Sequence, residues 1–427
     1  MAKENKKDFL VQSQIIRDLS HDEYFLLSKL CFFSNCLFNV GLYNVRQHYF
    51  ETKKYLSYPG NCEITKTNEN FKFLQAGIAQ QTLKKVDLAM KSFFALLKLK
   101  LAGEYDKDVS LPHYRKKGGL FSLTLSTNAI HIKDGQLALP VSRTFKKVFC
   151  PKKTHLPVPT NLLDKKIQEV RITPIYDGKF FKIDYVYEAE SEPKHLNPKN
   201  KLAIDIGLEN LATCITTTGA SFIMDGRKLK SINQLWNKKV AKFKSILDKQ
   251  ARGKKHGSSK RITRLNIKRN NRTKDILSKT ARYIINYCVE NDIGTIVCGC
   301  NKEQKQGIDL GKTNQDFVQV EFSRLRRQLS NICNRYGIRY IEQEESYTSK
   351  ASCLDLDEIP VFDPDYDGDY EFSGRRVKRG LYRFSDGRTA NADVNGAANI
   401  LRKSKQKFDF EQLCRGLLAS PSRIRVG

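Results

Sequence analysis

Residues 201–223, KLAIDIGLENLATCITTTGASFI, decide the fold because they place one carboxylate inside an apolar strand. Residues 202–206 form a short apolar run that is interrupted only by Asp205. Gly207 permits a tight backbone and the Gly219-Ala220 turn leads into another strand, so the pattern predicts a β-hairpin with Asp205 on its inner face. An ionised carboxylate buried there is costly unless it is paired or bound to a cation. The segment therefore indicates a cation site, although an Asp that hydrogen-bonds a turn would look the same in this segment alone.

A second carboxylate lies near the C-terminus in residues 391–401, NADVNGAANIL. Asp393 begins a predicted helix, where the helix dipole favours a negative charge. Small residues follow it (Gly396, Ala397 and Ala398), and they allow the helix to lie close against a sheet. Asp393 alone could be a simple helix cap. Together with Asp205 it predicts a pair of acids able to hold divalent ions that activate water and stabilise a leaving oxygen.

Three segments in this order resemble the RuvC signatures of TnpB proteins, which are relatives of type V CRISPR effectors: IDIGLENLATC, YTSK at residues 347–350 and NADVNGAANI. The resemblance covers residues 202–403 well and the first 200 residues more weakly, where the segment PHYRKKGG fits the family's recognition and wedge regions. It implies an α/β RNase H-like (RuvC) nuclease domain preceded by a β-barrel (wedge) domain with an inserted helical recognition domain.

The resemblance also implies a function. It implies an RNA-guided endonuclease of an insertion-sequence transposon that cleaves double-stranded DNA next to a short motif, using a guide RNA from the transposon end. Guide pairing would then supply the sequence specificity. Two alternatives stay open: a nuclease-inactive, RNA-guided DNA-binding repressor, and a transposase-associated DNA-binding protein.

The middle carboxylate of the family is displaced in this chain. The family usually carries it at the end of a strand that reads like TIVCG, and that position here is Gly299. Adjacent strands lie only about 4.8 Å apart, so a glutamate at the end of the next strand can reach nearly the same point. Because related TnpB members carry a relocated glutamate three residues before the position of Thr348, the resemblance favours Glu345.

Other glutamates are alternatives for this position. Glu344 and Glu342 precede Glu345 in the same segment, whereas Glu303 and Glu321 lie in a predicted loop and a predicted helix. The predicted catalytic and metal-binding set is Asp205, Glu345 and Asp393, with two Mg²⁺ or Mn²⁺ ions per site.

The family usually inserts a zinc ribbon before its last motif, but this interval contains only Cys353. A zinc ribbon needs four Cys or His ligands, so no zinc is expected. Eight acids lie in residues 355–371 instead. Four residues resemble the first half of a calcium loop, but the position of its bidentate glutamate is Gly374, which favours a plain acidic loop. These four are Asp363, Asp365, Asp367 and Gly368.

The charge of the chain predicts a polyanionic partner. It carries 75 Lys and Arg against 46 Asp and Glu, a formal charge of +29. Residues 227–274 alone contain 18 Lys and Arg and one acid, Asp248, so they predict a basic face for nucleic acid. The predicted nucleic-acid contacts are Lys238, Lys239, Arg261, Arg264, Lys268, Arg269, the YTSK residues Tyr347, Thr348, Ser349 and Lys350, and Arg375 and Arg376.

The texture of the sequence also suggests domain boundaries. Residues 20–50 and 77–101 show helical periodicity, and residues 111–188 show short strands. No apolar run is long enough to span a bilayer and the charged segment MAKENKKDFL lacks the apolar stretch of a secretory signal, so we expect a cytosolic protein. The resemblance implies a prokaryotic source, and a monomer is favoured. The predicted segments are a first wedge segment (1–18), a helical recognition domain (19–108), a wedge barrel (109–192), a linker (193–200), a RuvC-like domain (201–350), an insert (351–388), RuvC motif III (389–410) and a tail (411–427).

Overall fold

The computed structural model describes residues 7–251, 259–301, 321–363, 368–378, 380–405 and 421–426. The chain divides into two compact units, Met1–Glu190 and Ser191–Gly427. In the first unit the elements are β1 (Lys7–Ile16), α1 (His21–Thr52), α2 (Tyr58–Thr65), α3 (Glu69–Phe73), α4 (Ala76–Leu101), β2 (Leu123–Ser126), β3 (His131–Lys133), β4 (Gln136–Ala138), α5 (Arg143–Phe149), β5 (His155–Pro157), β6 (Ile167–Ile175) and β7 (Phe180–Glu190).

Helix α1 begins where the sequence predicts it. The Ser20 side chain accepts a hydrogen bond from the backbone of Glu23, and the Glu23 carboxylate accepts one from the backbone of Ser20, which forms a capping box. Among the described residues, α1 is the one helix long and apolar enough to pass a membrane-span test, yet 61% of its most apolar window is buried inside the protein. Since Leu30 and Leu37 of α1 share an apolar core with Ile78 and Leu83 of α4, α1 has the burial of a core helix.

The strands of the first unit form two antiparallel sheets. One has the order β1-β7-β6-β2 and the other β3-β4-β5. Residues of both sheets, such as Leu125 and Leu137, pack in the same apolar cluster. In the described residues β1 and β2 are the edges of an open sheet, so the hydrogen-bonded strands do not form the closed barrel that the resemblance implies. The short strands β3–β5 pair among themselves instead of closing the larger sheet.

The second unit is an α/β structure around a six-stranded mixed sheet with the order β12-β11-β8-β9-β10-β16. Its elements are β8 (Lys201–Asp205), β9 (Asn210–Thr216), β10 (Ser221–Asp225), α6 (Arg227–Ala251), α7 (Lys260–Glu290), β11 (Thr295–Cys300), α8 (Phe322–Tyr336), β12 (Arg339–Glu344), β13 (Arg375–Lys378), β14 (Leu381–Arg383), β15 (Thr389–Asn391), α9 (Ala392–Lys403) and β16 (Ser422–Ile424).

Residues 201–225 form three strands rather than the predicted single hairpin. Strands β8 and β9 pair antiparallel and turn at residues 206–209, while Gly219, with a φ of +92°, turns β9 into β10. Strand β9 begins with the polar Asn210 and is buried from Leu211 onward.

The two faces of this sheet are covered differently. Leu202 and Ile204 of β8 pack with α7 and α8, whereas Ala203 packs with α9. Successive side chains of a strand point to opposite faces, so Asp205 shares the α9 face with Ala203. Strands β8, β11 and β12 run parallel to one another, and their carboxyl ends therefore meet at one edge of the sheet.

Candidate active site

Asp205 is the last residue of β8 and lies against the first turns of α9. A Cβ atom added to Gly396 of α9 would lie 2.8 Å from its Oδ2 atom. Glycine at residue 396 therefore lets α9 lie close against the end of β8, as the sequence predicts. Desolvation raises the pKa of Asp205 well above its ordinary value, and the neighbouring carboxylates of Glu345 and Asp393 raise it further, while Arg376 acts against them. A cation bound nearby would therefore strongly stabilise the ionised form of Asp205.

Glu345 follows directly after β12, which pairs with β11, the strand that contains the TIVCG segment. A Cβ atom added to Gly299 would overlap with Oε2 of Glu345 and would lie 2.7 Å from Cδ1 of Ile400. The carboxylate of Glu345 therefore fills the space into which a side chain at residue 299 would project. Desolvation raises the pKa of Glu345 to about 7, although Arg326 lowers it.

Asp393 lies in the first turn of α9, which Asn391 caps by accepting hydrogen bonds from the backbone of Asp393 and Val394. Both of its carboxylate oxygens are engaged. Oδ2 accepts a hydrogen bond of 2.5 Å from Asn210, and Oδ1 lies 3.3 Å from the guanidinium of Arg376. Asn210 is itself held by Arg423 of β16 at 2.9 Å.

The three acids fit a hard divalent cation in donor chemistry, since Mg²⁺ prefers carboxylate oxygen. They also lie close enough together to raise the pKa of Asp205. Within the described part of the chain, however, no three His, Cys, Asp or Glu side chains form a ready-made ligand group. Arg376 and Asn210 contact the two carboxylate oxygens of Asp393. A metal ion bound by Asp393 would therefore have to replace the guanidinium of Arg376.

The alternative glutamates have other partners. Glu344 accepts a hydrogen bond from Lys403, and Glu342 is exposed with Arg326 4.0 Å away. Glu321 is the N-cap residue of α8 and pairs with Arg324 at 2.7 Å. Glu303 lies outside the described residues. Among these glutamates, Glu345 is the one placed against Gly299.

Helices α6 and α7 carry the predicted phosphate contacts, but in two different ways. Lys238, Lys239, Arg264 and Lys268 are exposed. Arg261 is exposed as well, but its guanidinium lies 4.2 Å from the ring centroid of Phe243. The guanidinium of Arg269 lies 5.5 Å from the ring of Trp236 and donates to Asn233. Arg261 and Arg269 therefore join the two helices, which leaves the other four cations as the better phosphate contacts.

The YTSK segment is mainly structural in its first half. Thr348 is 4% exposed, and its hydroxyl donates to the carbonyl of Glu345 at 2.8 Å, so its side chain is not presented to a nucleic acid as predicted. Tyr347 packs edge-on against Tyr370. Ser349 and Lys350 are exposed, as is Arg375 of β13.

The acidic insert uses two of its acids to hold its own fold. Asp355 accepts hydrogen bonds from Ser352 and Ser385, and Asp357 accepts them from Ser352 and Ser373. Cys353 is buried in the apolar cluster beneath α9. Of the calcium-like residues, Asp365 and Asp367 lie outside the described residues.

Sequence reasoning missed three residues of the site, Asn210, Arg326 and Lys403, and it considered Glu344 only as an alternative to Glu345. Asn210 stands in the IDIGLENLATC segment, where a polar residue opens a buried strand, and this was an available signal. Arg326 and Lys403 reach Glu345 and its neighbour from α8 and α9, and no local pattern marks such contacts.

Comparison with known proteins places these features in a family context. Residues 184–312 match the family described as OrfB_IS605, probable transposase, and residues 322–400 match the Cas12f1-like TNB domain. The TnpB-like protein ORF457 of Acidianus two-tailed virus is 24% identical over 420 residues, covering 88% of this chain and 83% of that protein. The Cas12f1 chain of a Cas12f1-sgRNA-target DNA complex has a TM-score of 0.53 at 15% identity, covering 89% of this chain and 83% of that chain.

Proposed function

We propose that this protein is an RNA-guided, metal-dependent DNA endonuclease. The proposal is supported by the match of residues 184–312 to OrfB_IS605, by the match of residues 322–400 to the Cas12f1-like TNB domain, and by the similarity to the TnpB-like protein and to the Cas12f1 chain. The observation that carries the proposal is the carboxylate of Glu345 filling the space in front of Gly299, on the sheet edge where Asp205 also lies. Glu345 would thus supply the third carboxylate that the family usually carries at the position of Gly299.

Asp205, Glu345 and Asp393 would hold the divalent ions, two Mg²⁺ or Mn²⁺ per site. Bound there, the ions would supply an activated water and stabilise the leaving oxygen of a phosphodiester. The residues of the chain provide the negative charge and its fixed spacing: Asp205 from a strand end, Glu345 from the neighbouring strand and Asp393 from a helix start. Hydrolysis would break the bond to the 3′ oxygen and leave a 3′-hydroxyl and a 5′-phosphate.

The partners are proposed to be a guide RNA from a transposon end and matched double-stranded DNA, bound by one copy of the chain in a prokaryotic cytosol. The exposed cations of α6 and α7, Lys238, Lys239, Arg264 and Lys268, would contact phosphates and give affinity without sequence choice. The guide would supply sequence choice by base pairing.

The decisive experiment moves the acid between the two positions. The variants Glu345→Ala, Gly299→Glu and the double variant are assembled with guide RNA, and cleavage of matched DNA is measured in Mg²⁺. We expect Glu345→Ala to lose at least about 1,000-fold in rate, as loss of an essential catalytic group does. The double variant should recover part of this loss, because removing the Glu345 carboxylate opens the space that a side chain at 299 needs.

Full cutting by Glu345→Ala would show that another residue completes the site. Matched controls are Glu342→Ala, which removes an exposed glutamate of β12, and a DNA-binding assay that confirms unchanged target binding.

A non-cleaving, guide-dependent DNA binder is the second candidate, and the contact of Arg376 with Asp393 favours it. If wild-type protein binds matched DNA but does not cut it in Mg²⁺ or Mn²⁺, this second candidate is correct. A transposase-associated protein without a guide would instead be isolated without one defined RNA species.

A further inference from the structure

Lys403, in the last turn of α9, links the helix that carries Asp393 to the strand end that carries Glu345. Its side chain is 7% exposed. Its ammonium donates to Oε2 of Glu344 at 2.5 Å, to the carbonyl of Ser346 at 3.0 Å and to the carbonyl of Pro360 at 2.7 Å. A lysine ammonium has three donors, so these three acceptors satisfy it completely.

Two of these acceptors flank Glu345 directly. Glu344 precedes it and Ser346 follows it, and the backbone N–H of Ser346 also donates to Oε1 of Glu344 at 2.5 Å. The carbonyl of Glu345 accepts a further hydrogen bond from the Thr348 hydroxyl. The backbone of Glu345 is therefore held on both sides by groups that have no place in the chemistry.

Other side chains of α9 support the same segment. Asn399 donates to the carbonyls of Thr348 at 2.9 Å and Ala351 at 2.7 Å, and Asn395 donates to that of Ala351 at 2.8 Å. Asn395, Asn399 and Lys403 are spaced by four residues and therefore lie on one stripe of the helix. Along a helix Asp393 and Lys403 are about 15 Å apart. The helix α9 therefore connects Asp393 to Lys403, which holds the segment that carries Glu345.

We propose that Lys403 is a positioning residue, which acts through Glu344 and Ser346 to fix Glu345 relative to Asp205 and Asp393 and so sets the affinity of the site for its divalent cation. This inference rests on the proposed function. Residues that orient metal ligands without touching the metal change metal affinity by about 10-fold to 100-fold when they are altered.

The sign of the effect separates positioning from simple electrostatics. Loss of the positive charge in Lys403→Met would strengthen cation binding if Lys403 acted only through its charge. A positioning role predicts weaker cation binding. The test therefore measures metal dependence in Lys403→Met and Glu344→Gln. The control is Lys279→Met, because Lys279 pairs with Asp275 at 2.9 Å on the exposed surface of α7.

Two readouts are taken on the full chain bound to guide RNA: the Mn²⁺ concentration that gives half of the metal-induced rise in unfolding temperature, and the Mg²⁺ concentration for half-maximal cleavage of matched DNA. We expect both to increase about 10-fold in Lys403→Met and in Glu344→Gln. Lys279→Met should match the wild type. If Lys403→Met does not fold, Lys403→Arg decides, because it keeps the positive charge but changes the geometry of the three hydrogen bonds, so weaker metal binding in it reflects positioning and not charge.

Unchanged metal dependence in both variants overturns the inference, even if their unfolding temperatures fall, since Lys403 would then only stabilise the fold. Tighter metal binding in Lys403→Met overturns it as well. A wild-type protein that shows neither cleavage nor a Mn²⁺ effect would defeat the proposed function itself, whereas a responsive wild type with unresponsive variants defeats only this inference.

Discussion

The two ends of α9 are held by ion pairs of different kinds. At the first turn, Asp393 and Arg376 are 3.3 Å apart, and their side chains are 28% and 46% exposed. At the last turn, Lys403 pairs with Glu344 and also donates to two carbonyls in a nearly closed environment. The first pair can exchange its cation without leaving a buried charge, and the second cannot. The last turn of α9 is thus fixed by a buried ion pair, whereas the cation paired with Asp393 in the first turn can be exchanged.

Removing the cation from each pair should have very different effects on stability. Lys403→Met should lower the free energy of unfolding by about 2 kcal/mol, less than the loss of a fully buried partner because Glu344 is partly exposed. Arg376→Met should change it by about 0–1 kcal/mol, as is usual for surface pairs. Urea unfolding of the metal-free proteins measures both, and the reverse order would contradict the comparison.

In the metal-free protein, the unfolding temperature should depend on pH because Glu345 has a raised pKa. The pKa of Glu345 is raised to about 7, above an ordinary value of about 4.3. An acid with a raised folded-state pKa stabilises the fold below its ordinary pKa and loses that contribution as the pH rises to about 7. Wild-type protein should therefore lose unfolding temperature between pH 5 and about pH 8 relative to Glu345→Gln.

A thermal unfolding series without metal at several pH values tests this expectation. A constant difference between wild type and Glu345→Gln would show that Glu345 does not titrate in this range. Saturating Mn²⁺ should abolish or reverse the trend, because a bound cation favours the ionised carboxylate.

Arg376 should compete with a metal ion for Asp393. In the metal-free protein without nucleic acid, Arg376→Met should tighten Mn²⁺ binding about 5-fold, which corresponds to about 1 kcal/mol of a surface ion pair. Isothermal titration calorimetry measures the change. Arg375→Met is the matched control, because Arg375 is the exposed neighbour on the same strand. Weaker binding in Arg376→Met would indicate that Arg376 supports the ion instead.

The smallest effect is expected from Arg423, which reaches Asp393 only through Asn210. Arg423→Ala should weaken Mn²⁺ binding about 2-fold, because Asn210 keeps its own hydrogen bond to Asp393. The same calorimetric titration applies. A change as large as that of Lys403→Met would mean that the C-terminal strand positions the site as strongly as the last turn of α9.

Much of the second unit could be predicted from the sequence because its signals are local. Asp205 follows from one acid in an apolar run, and Asp393 follows from a helix start with small residues behind it. The separate strand β9 was missed because only the Gly219-Ala220 turn was counted as a chain reversal, whereas the chain also turns at residues 206–209. The pairs of Arg376 and Lys403 could not be predicted, since each joins elements that meet only after the sheet and α9 have packed.

The first unit shows the same division. The capping box of Ser20 and the stripe of α4 are local signals, and both helices lie close to their predicted bounds. Pairing among short strands depends on which edges meet, so the sequence could not distinguish a closed barrel from two sheets over one core.

Residues 299 and 345 are alternative positions for the third acid of this site. Since a side chain at 299 overlaps with the Glu345 carboxylate, that carboxylate has to move in a chain bearing both acids, and a chain bearing neither lacks the third acid. The value of a substitution at either position therefore depends on the residue at the other. This is epistasis between the ends of two neighbouring strands.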